Sequence, residues 1–141
     1  MIRILIKILR PGVQPPTKAH PTDSGWDCYV AEDVHLDPHN ATLVPLGIAV
    51  ELPAGYELQG RPRSSSLLNK GLHVQFGTVD NGYRGELMAV VMNMNSSSIT
   101  VRRGDRILQL VPMAIGPSRL FLVDELTPSP RGDRGFGSTG R

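Results

Sequence analysis

The carboxyl-terminal stretch RGDRGFGSTG holds an unusual set of groups for binding an anion. Its glycines, Gly137 among them, allow successive backbone N–H groups to turn toward one phosphate, and Ser138 and Thr139 add hydroxyl donors. Arg131 or Arg134 supplies a guanidinium for a terminal phosphate, and Phe136 offers a face on which a base can stack. The stretch therefore predicts a nucleotide-binding segment, although a disordered linker has a similar composition.

A second candidate for anion binding is the segment RPRSSSLLNKG, in which three serines follow Arg63. We predict a short helix over residues 65 to 70, with a serine as its N-cap and Gly71 as its C-terminal stop. The start of a helix presents unpaired N–H groups and partial positive charge, so Arg63 with Ser64 or Ser65 can hold a phosphate. A capped surface helix explains the same residues equally well.

Asp80 lies in the stretch FGTVDNGYRGEL, between two runs that are typical of β-strands. An Asp-Asn-Gly sequence is a common hairpin turn, so the residue has a purely structural interpretation. A carboxylate in such a turn is also able to orient a water and take its proton. The stretch alone leaves both interpretations open and favours the turn.

Two further polar residues stand in apolar surroundings. Gln109 interrupts the run RILQLV, where an amide that faces inward needs a partner such as phosphate or water. The alternative is that Gln109 faces solvent. Asp27 follows Gly25 and Trp26 at the start of an expected strand, and it can hold a hydrated Mg²⁺, since that ion keeps most of its waters and needs few carboxylates.

The elements that must position these residues are short strands rich in Val, Ile and Leu, separated by Gly, Pro, Asn and Ser. The 12 prolines and 15 glycines disfavour long helices, and the regular spacing predicts an all-β sandwich or barrel. We expect the first strand, over residues 2 to 9, to have one fully buried face. Further strands are expected over residues 43–52, 56–60, 74–79, 87–94, 99–102, 106–113 and 120–126.

Composition bounds the organisation of the chain. With 141 residues, of which 40% are hydrophobic and 20% charged, the chain fits one folded domain. The last stretch, TPSPRGDRGFGSTGR, contains no aliphatic residue and cannot pack a core. We therefore predict a β domain over residues 1–126 and a mobile tail over residues 127–141.

Charge and cysteine content narrow the partners. A formal net charge of +2 with scattered basic residues gives a weak field, so no nucleic-acid partner is expected. The N-terminal MIRILIKIL is too short to cross a bilayer and carries Arg3 and Lys7, so no membrane partner is expected either. A single cysteine, Cys28, fits a reducing compartment, and we predict a cytoplasmic location.

Taken in chain order, the segments around Asp27, Arg63, Asp80 and Gln109 and the carboxyl-terminal stretch resemble, in their order and spacing, the five motifs of the trimeric dUTPase family. The resemblance extends over residues 21 to 140. The stretches GTVDNGYRGE and RGDRGFGSTG are the most specific part of the match. The resemblance implies a jelly-roll-like β fold and a homotrimer, with the tail of one subunit closing a site elsewhere. It also implies Mg²⁺-dependent hydrolysis of dUTP to dUMP and pyrophosphate, which limits uracil in DNA and supplies dUMP for thymidylate synthesis.

The resemblance assigns roles to the matched residues. Asp80 would activate the water that attacks the α-phosphorus, and Asp27 would act on Mg²⁺ through water. Tyr83 would lie beneath the deoxyribose and reject a 2′-hydroxyl, while backbone groups from Gly77 to Gly85 would read uracil. The phosphate chain would be bound by Arg63, by Ser64 or Ser65, by Gln109, and at its γ end by Arg131, Ser138 and Thr139.

Two other functions compete with this interpretation. A dCTP deaminase shares the implied fold, but deamination needs a carboxylate on the strand after the turn, and that strand reads LMAVVMNM. A binding or regulatory trimer is the second alternative, and two RGD triplets could suggest adhesion. Both triplets lie inside motifs that are already explained, so hydrolysis of dUTP is the preferred prediction.

Overall fold

The computed structural model describes residues 1–133 and contains short strands with a single helix in that range. The strands are joined by turns rich in glycine, proline and asparagine, as the sequence predicts. Their bounds are β1 Leu5–Ile8, β2 Trp26–Tyr29, β3 Val34–Leu36, β4 Ala41–Pro45, β5 Ile48–Glu51, β6 Tyr56–Pro62, α1 Ser64–Lys70, β7 Leu72–Gln75, β8 Thr78–Val79, β9 Met88–Asn93, β10 Ile99–Val101 and β11 Arg106–Ala114.

The strands form antiparallel sheets of an open sandwich. One sheet has the order β2-β11-β6-β8 and another the order β4-β9-β7, while β1 pairs with β5 and β10 with β3. Side chains from all these sheets meet in one apolar cluster, which includes the fully buried Leu36, Val44, Val91 and Leu108. The predicted all-β, jelly-roll-like sandwich is confirmed, and within residues 1–133 the sheets do not close into a barrel.

Two predicted strands are each divided into two. The run over residues 43–52 breaks at Gly47, whose φ of 66° turns the chain, and a Cβ there would lie 2.7 Å from Cγ2 of Val13. The run over residues 74–79 breaks at Phe76 and Gly77, because β7 pairs with β9 whereas β8 pairs with β6. Sequence patterns alone did not indicate either break, since apolar residues continue on both sides.

Two other expectations about strands are wrong. β1 pairs with β5 but has no buried face, because Leu5, Ile6 and Ile8 are 42, 40 and 41% exposed. Residues 120–126 form no strand, and Leu120 and Leu122 are fully exposed. Both runs are apolar enough to be buried, but nothing within residues 1–133 of a single copy covers them.

The helix begins one residue earlier than predicted and lacks the expected serine cap. Its N-cap position is Arg63, whose side chain makes no capping hydrogen bond. The predicted stop is confirmed, because Gly71 adopts the left-handed conformation and its N–H bonds the carbonyl of Leu67. No helix in the described part of the chain is long and apolar enough to span a membrane.

Candidate active site

A charged cluster forms where β2 pairs with β11. The register of the two strands places Gln109 opposite Asp27. Arg106 donates from Nη1 to Oδ2 of Asp27 at 3.2 Å, and Nη1 of Arg63 lies 3.2 Å from the same oxygen. One carboxylate therefore faces two guanidinium groups, and three of the predicted residues, Asp27, Arg63 and Gln109, come together as expected.

Arg106 belongs to this cluster although the sequence did not single it out. In a regular strand, residues 106 and 109 point to opposite faces, because side chains alternate. The register of β11 against β2 shifts between Arg106 and Leu108, so that Tyr29 faces Arg106 while Asp27 faces Gln109. This bulge returns Arg106 to the face of Asp27. The bulge has no clear signal in the sequence.

The side chain of Arg63 holds a donor in need of an acceptor. Its Nη1 is buried and makes no hydrogen bond within residues 1–133, although the distance to Oδ2 of Asp27 satisfies an ion pair. The contact with Asp27 is therefore an ion pair without the geometry of a hydrogen bond. A buried donor without an acceptor costs roughly 1–3 kcal/mol, which a bound anion would recover.

The three serines after Arg63 divide into two kinds. Ser66 is buried, and its hydroxyl donates to the carbonyl of Ile107 at 3.3 Å, which fastens α1 to β11. Ser64 and Ser65 occupy the exposed first turn beside Arg63. Their hydroxyl groups thus stay available to a ligand, whereas Ser66 is used by the fold.

Gln109 lies against Gly25, the residue that precedes β2. It is half-buried, so it neither faces inward completely nor points fully into solvent. A Cβ on Gly25 would overlap Oε1 of Gln109 and lie 2.9 Å from its Cδ. A side chain at position 25 would therefore displace the amide from the cluster.

Asp80 lies in a loop of residues 80–87, which we call the Asp80 loop. The N–H of Tyr83 donates to the carbonyl of Asp80 at 3.0 Å, so the predicted turn is present. The predicted hairpin is wrong, because β8 pairs with β6 whereas β9 pairs with β4 and β7. The loop instead connects two different sheets. Asp80 is exposed and directly follows the last residue of β8.

A cavity of about 210 Å³ opens beside this loop. The carboxylate of Asp80 and the ring of Tyr83 share its wall with the backbone around Gly77. Phe76 forms another part of the wall, and it packs so closely on Gly60 that a Cβ there would overlap its ring. The cavity wall does not include Asp27, Arg63 or Gln109. The predicted residues therefore form two groups on one chain.

The remaining predicted residues lie in the carboxyl-terminal segment. Arg131 is exposed, near the end of the described chain. Phe136, Gly137, Ser138 and Thr139 lie outside the described residues, so their predicted contacts stay predictions. No group of three or more His, Cys, Asp or Glu residues within residues 1–133 could hold a metal ion directly. The role predicted for Asp27 on Mg²⁺ is through water, which does not require such a group, because Mg²⁺ keeps most of its waters and needs few protein carboxylates.

Cys28 lies next to Asp27 and faces the core. Burial, with a smaller contribution from the charge of Asp27, raises the pKa of the Cys28 thiol to about 12. A thiol so far from ionisation is a poor nucleophile and a poor metal ligand at neutral pH. The structural role expected for a buried cysteine agrees with this pKa.

Within residues 1–133, an open jelly-roll sandwich thus carries Arg63 beside two exposed serines in one place and Asp80 on a separate loop, a combination that suits a nucleotide-binding protein. Among known protein families, the dUTPase family model matches residues 13–140 of this chain. The chain belongs to the dUTPase family.

Individual relatives agree over nearly the whole chain. The deoxyuridine 5'-triphosphate nucleotidohydrolase of Thermobifida fusca is 44% identical over 142 residues, covering 99% of this chain and 79% of the relative. The protein of that name from Hydrogenobaculum is 39% identical and covers 99% of each. The dUTPase of Staphylococcus bacteriophage 80alpha, solved with dUpNHpp, superimposes with a TM-score of 0.92 at 28% identity, covering 99% of both chains.

Proposed function

We propose that this chain hydrolyses dUTP to dUMP and pyrophosphate in a Mg²⁺-dependent reaction. The observation that carries the proposal is the buried Nη1 of Arg63, a cationic donor without a hydrogen-bond acceptor in residues 1–133, beside the carboxylate of Asp27. A triphosphate with its Mg²⁺ supplies both the anion that Arg63 needs and the cation that Asp27 suits. Relatives named for dUTP hydrolysis indicate which triphosphate.

The phosphate chain binds at the charged cluster. Arg63 donates to it together with Ser64 or Ser65 at the start of α1, and the amide of Gln109 contacts it from β11. Arg106 donates to the same oxygen of Asp27 that Arg63 approaches, and its charge offsets the repulsion between that carboxylate and the substrate. Asp27 would hold a hydrated Mg²⁺ through water, and the ion would neutralise charge on the phosphates.

The nucleoside binds at the Asp80 loop. Backbone groups near Gly77 read the uracil edge, and the ring of Tyr83 supports the deoxyribose where a 2′-hydroxyl would clash. Asp80 accepts a proton from the water that attacks the α-phosphorus in line with the leaving pyrophosphate. The exposed position of Asp80 at the cavity wall gives it access to that water.

Because the two groups lie apart on one chain, we propose that complete sites form in a homotrimer between a charged cluster and an Asp80 loop of different subunits. The segment over residues 127–141 closes each site in trans, where Arg131, Gly137, Ser138 and Thr139 contact the γ-phosphate and Phe136 stacks on the base. Closure excludes water from the bound triphosphate. Buried Cys28 suits a reducing cytoplasm, and the predicted location rests on that residue.

Exposed apolar surface supports assembly of several copies. Residues 120–126 expose Leu120, Phe121 and Leu122, and a cavity of about 470 Å³ lies beside Ile4 and Ile6 near the start of the chain. We expect the exposed apolar residues of this segment to pack against apolar surface of another copy. Leu122→Asp should therefore dissociate the trimer, because burying a charge in apolar surroundings costs free energy. Light scattering after size exclusion measures this, with Asp124→Ala as the matched change in the same segment. A monomeric wild type would contradict the assembly.

The activity is tested by measuring pyrophosphate release from dUTP, UTP, TTP and dCTP with Mg²⁺. We expect rapid release from dUTP and much slower release from the other three nucleotides. Equal rates for all four would contradict the proposed specificity. Release of ammonia from dCTP would instead support the deaminase alternative.

A further inference from the structure

We infer that Glu86, oriented by Arg10, is a positioning residue that fixes the Asp80 loop for catalysis. This inference rests on the proposed function, because it takes Asp80 as the base and Tyr83 as the support of the sugar. Glu86 lines the same cavity as Asp80 and Tyr83, but in this proposal it contacts neither the attacking water nor a phosphate. It acts through the backbone and side chains of the loop that carries those two residues.

Both carboxylate oxygens of Glu86 accept hydrogen bonds from groups outside the Asp80 loop. Oε1 accepts the backbone N–H of Gly47 at 3.0 Å, and Oε2 accepts Nη2 of Arg10 at 3.0 Å. The Glu86 side chain is 25% exposed, so these bonds form in partly desolvated surroundings. Charge-assisted bonds are shorter and stronger than neutral ones, so two of them hold the residue firmly.

The backbone of Glu86 holds the opposite side of the loop. Its carbonyl accepts the hydroxyl of Tyr83 at 3.0 Å, and the N–H of Tyr83 donates to the carbonyl of Asp80 at 3.0 Å. Three successive contacts therefore connect Gly47 to Glu86, Glu86 to Tyr83 and Tyr83 to Asp80. A shift of Glu86 is transmitted to the sugar support and to the base.

The two ends of the Asp80 loop are held by hydrogen bonds that do not involve Glu86. Leu87 is buried, its N–H donates to Ile48 at 2.8 Å, and its carbonyl accepts from Leu46 at 3.0 Å. At the other end, Nδ2 of Asn81 donates to the carbonyl of Leu52 at 2.6 Å. Loss of the Glu86 carboxylate therefore leaves the fold intact but loosens the residues between these two anchors.

Arg10 binds two carboxylates, Glu86 and Glu32, and Glu32 provides a control for Glu86. Its Nη1 donates to Oε2 of Glu32 at 2.8 Å, while its Nη2 binds Glu86. The side chain of Glu32 is 57% exposed, and Glu32 makes no contact with the Asp80 loop that we describe. Removing the charge of Glu32 thus tests the general effect of losing one ion pair on Arg10, without releasing the loop.

The experiment compares kcat, KM for dUTP and the ratio of kcat/KM for dUTP over UTP. We expect Glu86→Gln and Arg10→Met to lower kcat by about 10-fold, and Glu86→Ala by roughly 100-fold, as misplacement by about 1 Å can. The dUTP over UTP ratio should fall with kcat because Tyr83 loses its support, whereas KM should change little. Arg10→Lys should restore most of kcat, and Glu32→Gln should match wild type.

Exchange of the Gly47 amide hydrogen provides a readout that does not depend on activity. We expect faster exchange at Gly47 in Glu86→Ala, while the amide of Leu87 keeps its protection. If Glu86→Ala does not fold, Arg10→Met and Glu86→Gln decide the outcome. Wild-type kcat and specificity in those folded variants would overturn the inference. An inactive wild type, or an Asp80→Asn variant with full turnover, would instead overturn the proposed function.

Discussion

Asp27 and Arg63 meet through one carboxylate oxygen, because Oδ2 of Asp27 lies 3.2 Å from Nη1 of Arg63. The contact keeps a guanidinium compensated before any phosphate arrives, yet leaves its Nη1 without a directed hydrogen bond in residues 1–133. Both side chains are mostly covered, with exposures of 17 and 25%. In the proposed function these covered side chains are preorganised for the phosphate chain, because the donors need no large rearrangement to bind it.

The first prediction concerns the charge of Asp27. Asp27→Asn keeps the shape of the side chain but removes the negative charge that would hold hydrated Mg²⁺. We expect the Mg²⁺ concentration for half-maximal activity to rise by roughly 10- to 100-fold, as for groups that act on a metal through water. A titration of pyrophosphate release with Mg²⁺ measures the change.

Asp33→Asn is the matched control for that titration. Asp33 also binds arginines, through Nη1 of Arg102 at 2.7 Å and the N–H of Arg103 at 2.9 Å. Its loss removes an aspartate–arginine ion pair outside the candidate site, although this pair is more exposed than that of Asp27. If both variants shift the Mg²⁺ requirement equally, the role of Asp27 as the metal residue is wrong.

The second prediction concerns the proposed base. Asp80→Asn should keep nucleotide binding, because the phosphate contacts come from the other cluster. Turnover should fall by about 10²- to 10⁴-fold, the usual contribution of a general base. Equilibrium binding of a non-hydrolysable dUTP analogue, measured beside kcat, separates the two effects.

Asp37→Asn serves as its control, since Asp37 is an exposed carboxylate paired only with His35 among the contacts we describe. This variant should behave as wild type in both measurements. Full turnover by Asp80→Asn would return Asp80 to the structural role that its turn sequence favours.

Much of the fold could be predicted from the residues. Short apolar runs separated by turn residues indicated an all-β sandwich, and Gly71 marked the end of the helix because only a residue tolerant of positive φ fits there. The approach of Asp27, Arg63 and Gln109 to one another could be expected only from the family resemblance. Their functional roles stay predictions.

Three features could not be predicted because they depend on pairing between distant strands. The bulge that brings Arg106 beside Asp27 is set by the register of β11 on β2. The Asp80 segment looked like a hairpin, since a turn sequence does not reveal that its flanking strands join different sheets. Residues 120–126 have a strand-like composition, but a strand forms only where an edge is present to pair with it.

The third prediction concerns the close approach of Gly85 to the ring of Tyr83. A Cβ on Gly85 would overlap the hydroxyl of Tyr83 and lie 2.6 Å from its Cζ. Gly85→Ala should therefore displace the ring and lower the preference for dUTP over UTP by about 10-fold, within the range expected for a modest steric change. The ratio of kcat/KM for the two nucleotides measures it.

Gly116→Ala is the control for Gly85, because a Cβ on Gly116 meets no described atom within 4 Å. This variant should keep the wild-type ratio. An unchanged ratio in folded Gly85→Ala would show that the position of the Tyr83 ring does not determine the choice of sugar.

The fourth prediction concerns pH and Cys28. The folded-state pKa of this thiol is raised to about 12 from 9.0, so unfolding favours loss of its proton above pH 9. Its contribution to stability is complete below pH 9 and is lost as the pH rises toward 12. Urea unfolding of wild type and Cys28→Ala from pH 8 to 11 should show a difference in stability that shrinks with pH. A constant difference would contradict the raised pKa.

The fifth prediction concerns the carboxyl-terminal segment. Deletion of residues 131–141 should leave the thermal unfolding midpoint and the oligomeric state unchanged, because the apolar core ends well before this segment. Activity should fall, since loss of a base stack on Phe136 alone costs about 1–3 kcal/mol, or roughly 5- to 150-fold in kcat/KM. Removal of Arg141 alone is the control and should retain activity. If the deletion lowers the unfolding midpoint or dissociates the protein, the segment is part of the fold, and its proposed role in closing a site is wrong.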